Sequence, residues 1–383
     1  MINEILPLLK KLINYQSISP KGEDVLNFIS DFLNPLGFTC IIKTFGPNNE
    51  VANLYAYTSS QNKDPFNICF AGHVDVVPPM NESLWSNDPF SMTINEGIIY
   101  GRGVVDMKGS IACALIAAQK YIESNQDLSG NISFLLTTDE EIGGNYGTKK
   151  MLEYIYELGH KIDFCILGEP TSIDQFGDLI KIGRRGSINF DLNIKGIQGH
   201  VAYPDKALNP NKILAAILNE FNNHIFDFGT EFFQASNLEI TSINCHNLVN
   251  NIIPEMSSAK FNIRFNHLHT PEILNIIITD IIKKYSNNFE LNYTCSSLPF
   301  SQKMSGNISL FKQIVDKTLN IESKFETNGG TSDARFIFKY AEVVEFGVNC
   351  NQAHKIDERC SIGDLQSLYN VYYDSLIKFL GDS

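Results

Sequence analysis

An α/β fold interrupted by a smaller α+β insertion is what the sequence predicts, and three observations carry it. From the amino terminus to about residue 184, short apolar runs of strand length alternate with helical patterns. Between about 185 and 297 the order changes to strand, helix, strand, strand, helix, strand. After about 298 the helix–strand alternation resumes to the carboxyl end. Near-continuous apolar strands separated by helices mean a sheet buried on both faces. A βαββαβ order is the ferredoxin-like pattern of a small separate domain. One domain formed by residues 1–184 and 298–383, with residues 185–297 inserted in it, is the simplest topology.

In chain order, Met1–Leu12 reads as an amphipathic helix, since it lacks the basic leader region and small-residue cleavage site of a secretory signal. Strands are expected at Val51–Thr58, Phe66–Ala71, Asn131–Thr137 and Phe164–Leu167, with a helix over Lys108–Glu123. The insertion supplies strand Ile188–Lys195, helix Pro210–Phe226, strands Leu238–Cys245 and Ser258–Phe265, helix Pro271–Tyr285 and strand Phe289–Cys295. A strand at Glu342–Phe346 and a closing helix after Ile362 complete the first domain.

Composition narrows the function classes. The 383 residues are 43% hydrophobic and 19% charged, as in an ordinary globular chain, and carry a net charge of −13. That balance argues against nucleic acid and against an anionic membrane surface, which need clustered Lys and Arg. It leaves room for an anionic small molecule in a local basic pocket. The apolar stretch Ile273–Ile282 is too short to cross a bilayer. Eight cysteines without a CxxC pair read as reduced thiols of a cytoplasmic protein.

Ligands of open α/β sheets collect at the carboxyl ends of the strands, and here four apolar strands run into metal-ligating side chains. Phe66–Ala71 ends in Gly72-His73-Val74-Asp75, Asn131–Thr137 in Asp139-Glu140-Glu141, and Phe164–Leu167 in Gly168-Glu169-Pro170. Glu342–Phe346 leads to His354, and Asp106 sits in the Gly-rich turn 101–109 before a helix. Carboxylates gathered at one sheet edge repel unless cations neutralise them. Imidazoles and carboxylates without thiolates suit zinc or a similar first-row divalent ion.

The stretches AGHVDVVP (71–78), GRGVVDMKG (101–109), TTDEEIGG (137–144) and LGEPT (167–171) resemble the di-zinc aminoacylase/carboxypeptidase-like metallopeptidases. The resemblance spans nearly the whole chain. It implies a mixed-sheet α/β/α zinc-hydrolase catalytic domain whose inserted ferredoxin-like domain makes a homodimer. A second set, GRRGS (183–187), GIQGHVAYPDKALNP (196–210), NNIIP (250–254) and GGTSDARF (329–336), is similar to the branch of that family acting on an anionic N-succinyl amino acid. That branch implies conversion of N-succinyl-LL-2,6-diaminopimelate and water to LL-2,6-diaminopimelate and succinate, in bacterial lysine and diaminopimelate biosynthesis. The alternatives are an acetylornithine deacetylase or other aminoacylase of the same fold, and a non-catalytic dimeric binding protein.

Carried over by position, the resemblance gives one zinc to His73, Asp106 and Glu169 and a second to Asp106, Glu141 and His354, with cobalt able to substitute. It makes Glu140 the general base and implies a cis peptide between Asp106 and Met107. Asp75, two residues past His73, is read as accepting the free imidazole N–H. Glu140 and Glu141 are expected to diverge because adjacent side chains in extended backbone point opposite ways. Arg184, Ser187, Asn250, Arg264 and Thr331 match substrate positions, and His200 is expected to act across the dimer. For Arg185 a structural salt bridge and a ligand contact stay equally open. His160, His224, His246, His267 and His269 read as structural or exposed, and Trp85 as packing.

Overall fold

The computed structural model describes every residue of the chain except Gln126, His246, Asp382 and Ser383. The assignment for His246 therefore lies outside the described residues. The chain divides into two compact units, Met1–Ile182 with Gln302–Glu326 and Ser332–Ser383, and Gly183–Ser301 with Thr327–Thr331. These limits fall a few residues from the expected ones, and the short segment Thr327–Thr331 goes with the smaller unit.

Among the described residues, the larger unit is built on an eight-stranded mixed sheet. Its order is Thr39–Phe45, Val51–Tyr57, Asn131–Thr137, Asn67–His73, Phe164–Leu167, Glu342–Glu345, Leu179–Lys181 and Lys324–Glu326. The pairs joining Asn131–Thr137, Asn67–His73, Phe164–Leu167 and Glu342–Glu345 are all parallel. Every residue of Asn67–His73 is buried, so both faces are covered, which is why this strand reads as an unbroken apolar run. Helix Lys108–Ser124 is apolar nearly all round and correspondingly buried, packing against helices Ile2–Asn14 and Ile362–Leu380. Helices Glu23–Leu33 and Thr148–Glu157 pack against Val51–Tyr57.

The smaller unit holds a four-stranded antiparallel sheet among the described residues, ordered Asn237–Asn244, Met256–Phe265, Gly186–Lys195 and Phe289–Ser297. Burial alternates along Met256–Phe265, the period-2 signature of a sheet with one covered face. Helices Pro210–Asn223 and Pro271–Lys283 share its core with Phe190, Phe261 and Phe221. Phe190 and Phe261 stack with centroids 5.0 Å apart. The βαββαβ order is therefore realised. Among the described residues no helix is long and apolar enough to cross a membrane.

Candidate metal centre

Parallel neighbours end on the same side of a sheet. Asn131–Thr137, Asn67–His73 and Phe164–Leu167 are adjacent and parallel, so their carboxyl ends bring Glu140 and Glu141, His73 and Glu169 to one edge. Glu342–Glu345 continues the parallel set and leads to the loop carrying His354. Asp106 arrives from the turn before helix Lys108–Ser124. There Gly109 is required, because a Cβ would stand 2.3 Å from the Val104 carbonyl oxygen. The Asp106–Met107 peptide is cis.

The side chains converge closely. His73 Nε2 lies 3.1 Å from Asp106 Oδ1 and 3.9 Å from Glu169 Oε1. His354 Nε2 lies 3.0 Å from Asp106 Oδ2 and 3.0 Å from Glu141 Oε1. Asp106 thus presents one oxygen to each imidazole. Ligand atoms of His73, Glu140 and Glu169 lie within 4.8 Å of one another, as do those of His73, Asp106 and Glu141. Glu140 and Glu141 do not diverge through extended backbone, as expected above. They stand in a 3₁₀ turn, Glu140–Ile142, whose three residues per turn separate successive side chains by about 120°.

His73 Nδ1–H donates to a carbonyl, the Asp75 backbone oxygen at 2.9 Å, and so leaves Nε2 as the nitrogen that faces the carboxylates. The Asp75 side chain stays 3.6 Å from that nitrogen, because other donors hold it: the Ser19 hydroxyl and, at 3.3 Å, the Glu141 amide. Asp75 therefore orients the imidazole through its backbone while its carboxylate braces the Glu141 turn. Trp85 packs as expected, donating from its indole to the Pro79 carbonyl at 3.0 Å.

The charge balance describes what the cluster accepts. Burial pulls the His73 imidazole down, yet Asp106, Asp75 and Glu169 together hold it well above its ordinary value. Hydrogen bonds to Asp106 and Glu141 raise His354 to about 10. Burial pushes the Asp106 carboxyl up, but the two imidazoles outweigh it and hold it below the usual carboxylate range. Burial, then the neighbouring Glu169 charge, pushes Glu140 well above its ordinary value. Positive charge is thus demanded at the Nε2 positions, and a donor set of nitrogen and oxygen fits a borderline divalent cation there.

A cation entering must displace those protons. Since the imidazoles are charged below their raised pKa values, apparent affinity for a divalent cation should rise with pH between about 6 and 9, about tenfold per unit for each proton displaced. Calorimetric titration of the metal-stripped chain across that range checks this, and an affinity independent of pH would contradict it.

The remaining candidates belong to the smaller unit. Arg184 is buried and donates to the Asn328 carbonyl at 3.1 Å. Arg264 Nη1 is buried without a hydrogen-bond partner among the described residues, and after burial the Arg184 charge is what lowers its pKa. The two guanidiniums are thus near enough to feel one another's charge. Ser187 is buried and accepts from Asn262 at 3.0 Å, Asn250 is exposed in a turn, and Thr331 is half-buried. Arg185 donates to the Ala235 carbonyl and Asn237 Oδ1 at 3.1 and 2.8 Å, an internal tether. His200, exposed on the short strand Gly199–His200, accepts the Ala202 N–H on Nδ1 at 3.0 Å, which makes Nε2 the donor of its neutral form. Among the histidines read as structural, His269 pairs with Asp227 at 3.1 Å, His160 packs on Tyr57 and His224 on Phe226.

The sequence profile of peptidase family M20/M25/M40 matches residues 69–378. The chain is 51% identical over 376 residues to a succinyl-diaminopimelate desuccinylase of Orientia tsutsugamushi (strain Boryong), covering 98% of this chain and 96% of that one. It is 52% identical over 377 residues to a protein of the same name from Rickettsia bellii (strain RML369-C), covering 97% and 96%. Among solved structures, aminopeptidase PepT from Bacillus cereus superposes with a TM-score of 0.79 at 15% identity, covering 99% and 98% of the two chains. The Bacillus subtilis YXEP protein, described as a dinuclear metal binding peptidase, superposes at 0.70 with 16% identity, covering 98% and 97%. At such identities these two structures speak to the fold alone.

Proposed function

This chain belongs to peptidase family M20/M25/M40 and is a metal-dependent hydrolase, and we propose that it converts N-succinyl-LL-2,6-diaminopimelate and water to LL-2,6-diaminopimelate and succinate. One observation carries the reaction class: the Asp106 carboxylate stretched between His73 and His354, with Glu140, Glu141 and Glu169 at the same strand ends. Identity of 51–52% to curated desuccinylases over nearly the full chain supports the substrate. A bacterial route to diaminopimelate and lysine is part of this reading.

His73, Asp106 and Glu169 would hold one divalent cation, and Asp106, Glu141 and His354 the other. Zinc suits the donors, with cobalt as a substitute. Bound cations would supply Lewis acidity toward the scissile carbonyl and the attacking water. Glu140 takes a proton from that water as its oxygen adds to the amide carbon. The same carboxyl returns the proton to the leaving nitrogen as the C–N bond breaks. The basic pair Arg184 and Arg264 binds substrate carboxylates, with Ser187, Asn250 and Thr331 as further contacts.

A homodimer through the smaller unit belongs to the same proposal. Strand Asn237–Asn244 lies at a sheet edge and carries Ile243, 64% exposed, near the chain segment bearing Leu248, 97% exposed. A cytoplasmic setting is supported by eight free thiols.

The test is hydrolysis of N-succinyl-LL-2,6-diaminopimelate beside N-acetylornithine. We expect succinate release that a chelator abolishes and zinc or cobalt restores. Faster cleavage of N-acetylornithine would favour the sibling deacylase, and full activity in metal-stripped protein would remove the reaction class.

A further inference from the structure

Four residues beyond His354 stands Glu358, a fully buried carboxylate in a polar loop. Its Oε1 accepts the Val105 and Asp106 amides at 2.8 and 3.2 Å. Its Oε2 accepts the Gly103 amide at 3.0 Å and Arg102 Nη1 at 2.7 Å. One carboxylate thus gathers three backbone donors of the turn that presents Asp106. The turn depends on Gly103, whose φ of +86° is left-handed and whose added Cβ would stand 2.8 Å from Val76.

The other end of the clamp is equally constrained. Arg102 is 2% exposed and lies 4.9 Å over the Trp85 ring. In the loop itself, His354 and Asp357 adopt φ of 63° and 54°, strained for non-glycine residues and kept only where surroundings over-determine them. Asp357 accepts the Ser86 amide and hydroxyl at 2.8 and 2.7 Å. A buried ion pair contributes little net stability over an apolar replacement. What this one supplies is position, because the same short segment carries a candidate ligand, His354, and the clamp on another, Asp106.

We propose that Glu358 is a positioning residue for the metal centre. It fixes the separation of the Asp106 carboxylate and the His354 imidazole, and thereby the spacing of two cations, while touching neither cation nor substrate. The inference rests on the metal-hydrolase reading above and adds a residue to it.

The experiment titrates the full, metal-stripped chain with Co²⁺, following visible absorption and calorimetric heat. Glu358→Gln keeps the shape but turns an amide NH₂ toward backbone donors. We expect affinity for the more weakly held cation to fall about 10–100-fold, the range for residues that orient ligands, with an altered cobalt spectrum. Glu358→Asp should recover part of both. A folded Glu358→Gln protein with wild-type affinities and spectrum would overturn the proposal, leaving Glu358 a structural residue only. Should that variant not fold, Glu358→Asp decides by the same comparison: weakened binding supports the proposal and wild-type binding overturns it. Because cation binding is what is read, this outcome is separate from any failure of the succinyl-amide reading, which the hydrolysis assay decides.

Discussion

Glu140→Gln should lower turnover by about 10²–10⁴-fold, the contribution of a general acid–base group, while cation content is unchanged. The amide fills the same space in the turn Glu140–Ile142 but cannot take the proton that attack on the amide carbonyl releases. Glutamine neither accepts nor returns a proton, so the lost function is the proton relay. Glu141 is different. Its Oε1 lies 3.0 Å from His354 Nε2, where a cation would be shared, so Glu141→Gln should reduce metal occupancy first and activity as a consequence. Metal analysis beside kinetics on both variants separates the roles. Equal loss of metal from both would contradict the division.

The strands that carry these residues are legible in the sequence for one physical reason. Asn67–His73, Asn131–Thr137 and Phe164–Leu167 are central and covered on both faces, so their residues are mostly apolar, with Ser133 the buried polar exception in their interiors, until each strand gives way to polar ligands. The ferredoxin-like unit is legible for a different reason: its strands alternate and its helices carry one apolar face. Where the sheet frays, the signal is lost. Leu179–Lys181 and Lys324–Glu326 are three residues each, and Thr39–Phe45 is only partly buried. The first two are too short to separate a strand from a loop, and the third lacks the buried face that would mark it.

The supports around the site are less legible in the sequence than the ligands. Ser19, which holds Asp75, sits in an ordinary polar stretch. Glu358 follows Lys355-Ile356-Asp357 and reads as a solvated acid, because nothing local announces that distant Arg102 and three backbone amides surround it. The excursion of Thr327–Thr331 into the smaller unit is too short to shift composition. The 3₁₀ turn at Glu140 is equally silent, since period-2 alternation holds only to the strand end at Thr137, three residues earlier. Ligand-bearing strand ends are local in sequence; the shell that orients them is assembled from long-range contacts.

His200→Ala is expected to cost about 10²–10³-fold in turnover, the loss of one oxyanion donor worth about 2.7–4 kcal/mol, and the loss should be repairable in trans. His200 belongs to the smaller unit, whereas every candidate metal ligand belongs to the larger. Its Nδ1 is engaged by the Ala202 amide, so Nε2–H is free to donate to a carbonyl oxygen as negative charge develops. In the proposed dimer, two-fold symmetry makes each smaller unit available to its partner's site. Mixing inactive His200→Ala chains with inactive Glu140→Gln chains tests this. In a mixed dimer, the site whose own subunit retains Glu140 receives His200 from the other subunit and is whole, while the second site lacks both. With random exchange of equal amounts, half the dimers are mixed, and about a quarter of all sites should be active. Recovery near that level, growing with the time allowed for exchange, is the expected outcome. No recovery after demonstrated exchange would assign His200 to its own subunit's site or remove it from the reaction.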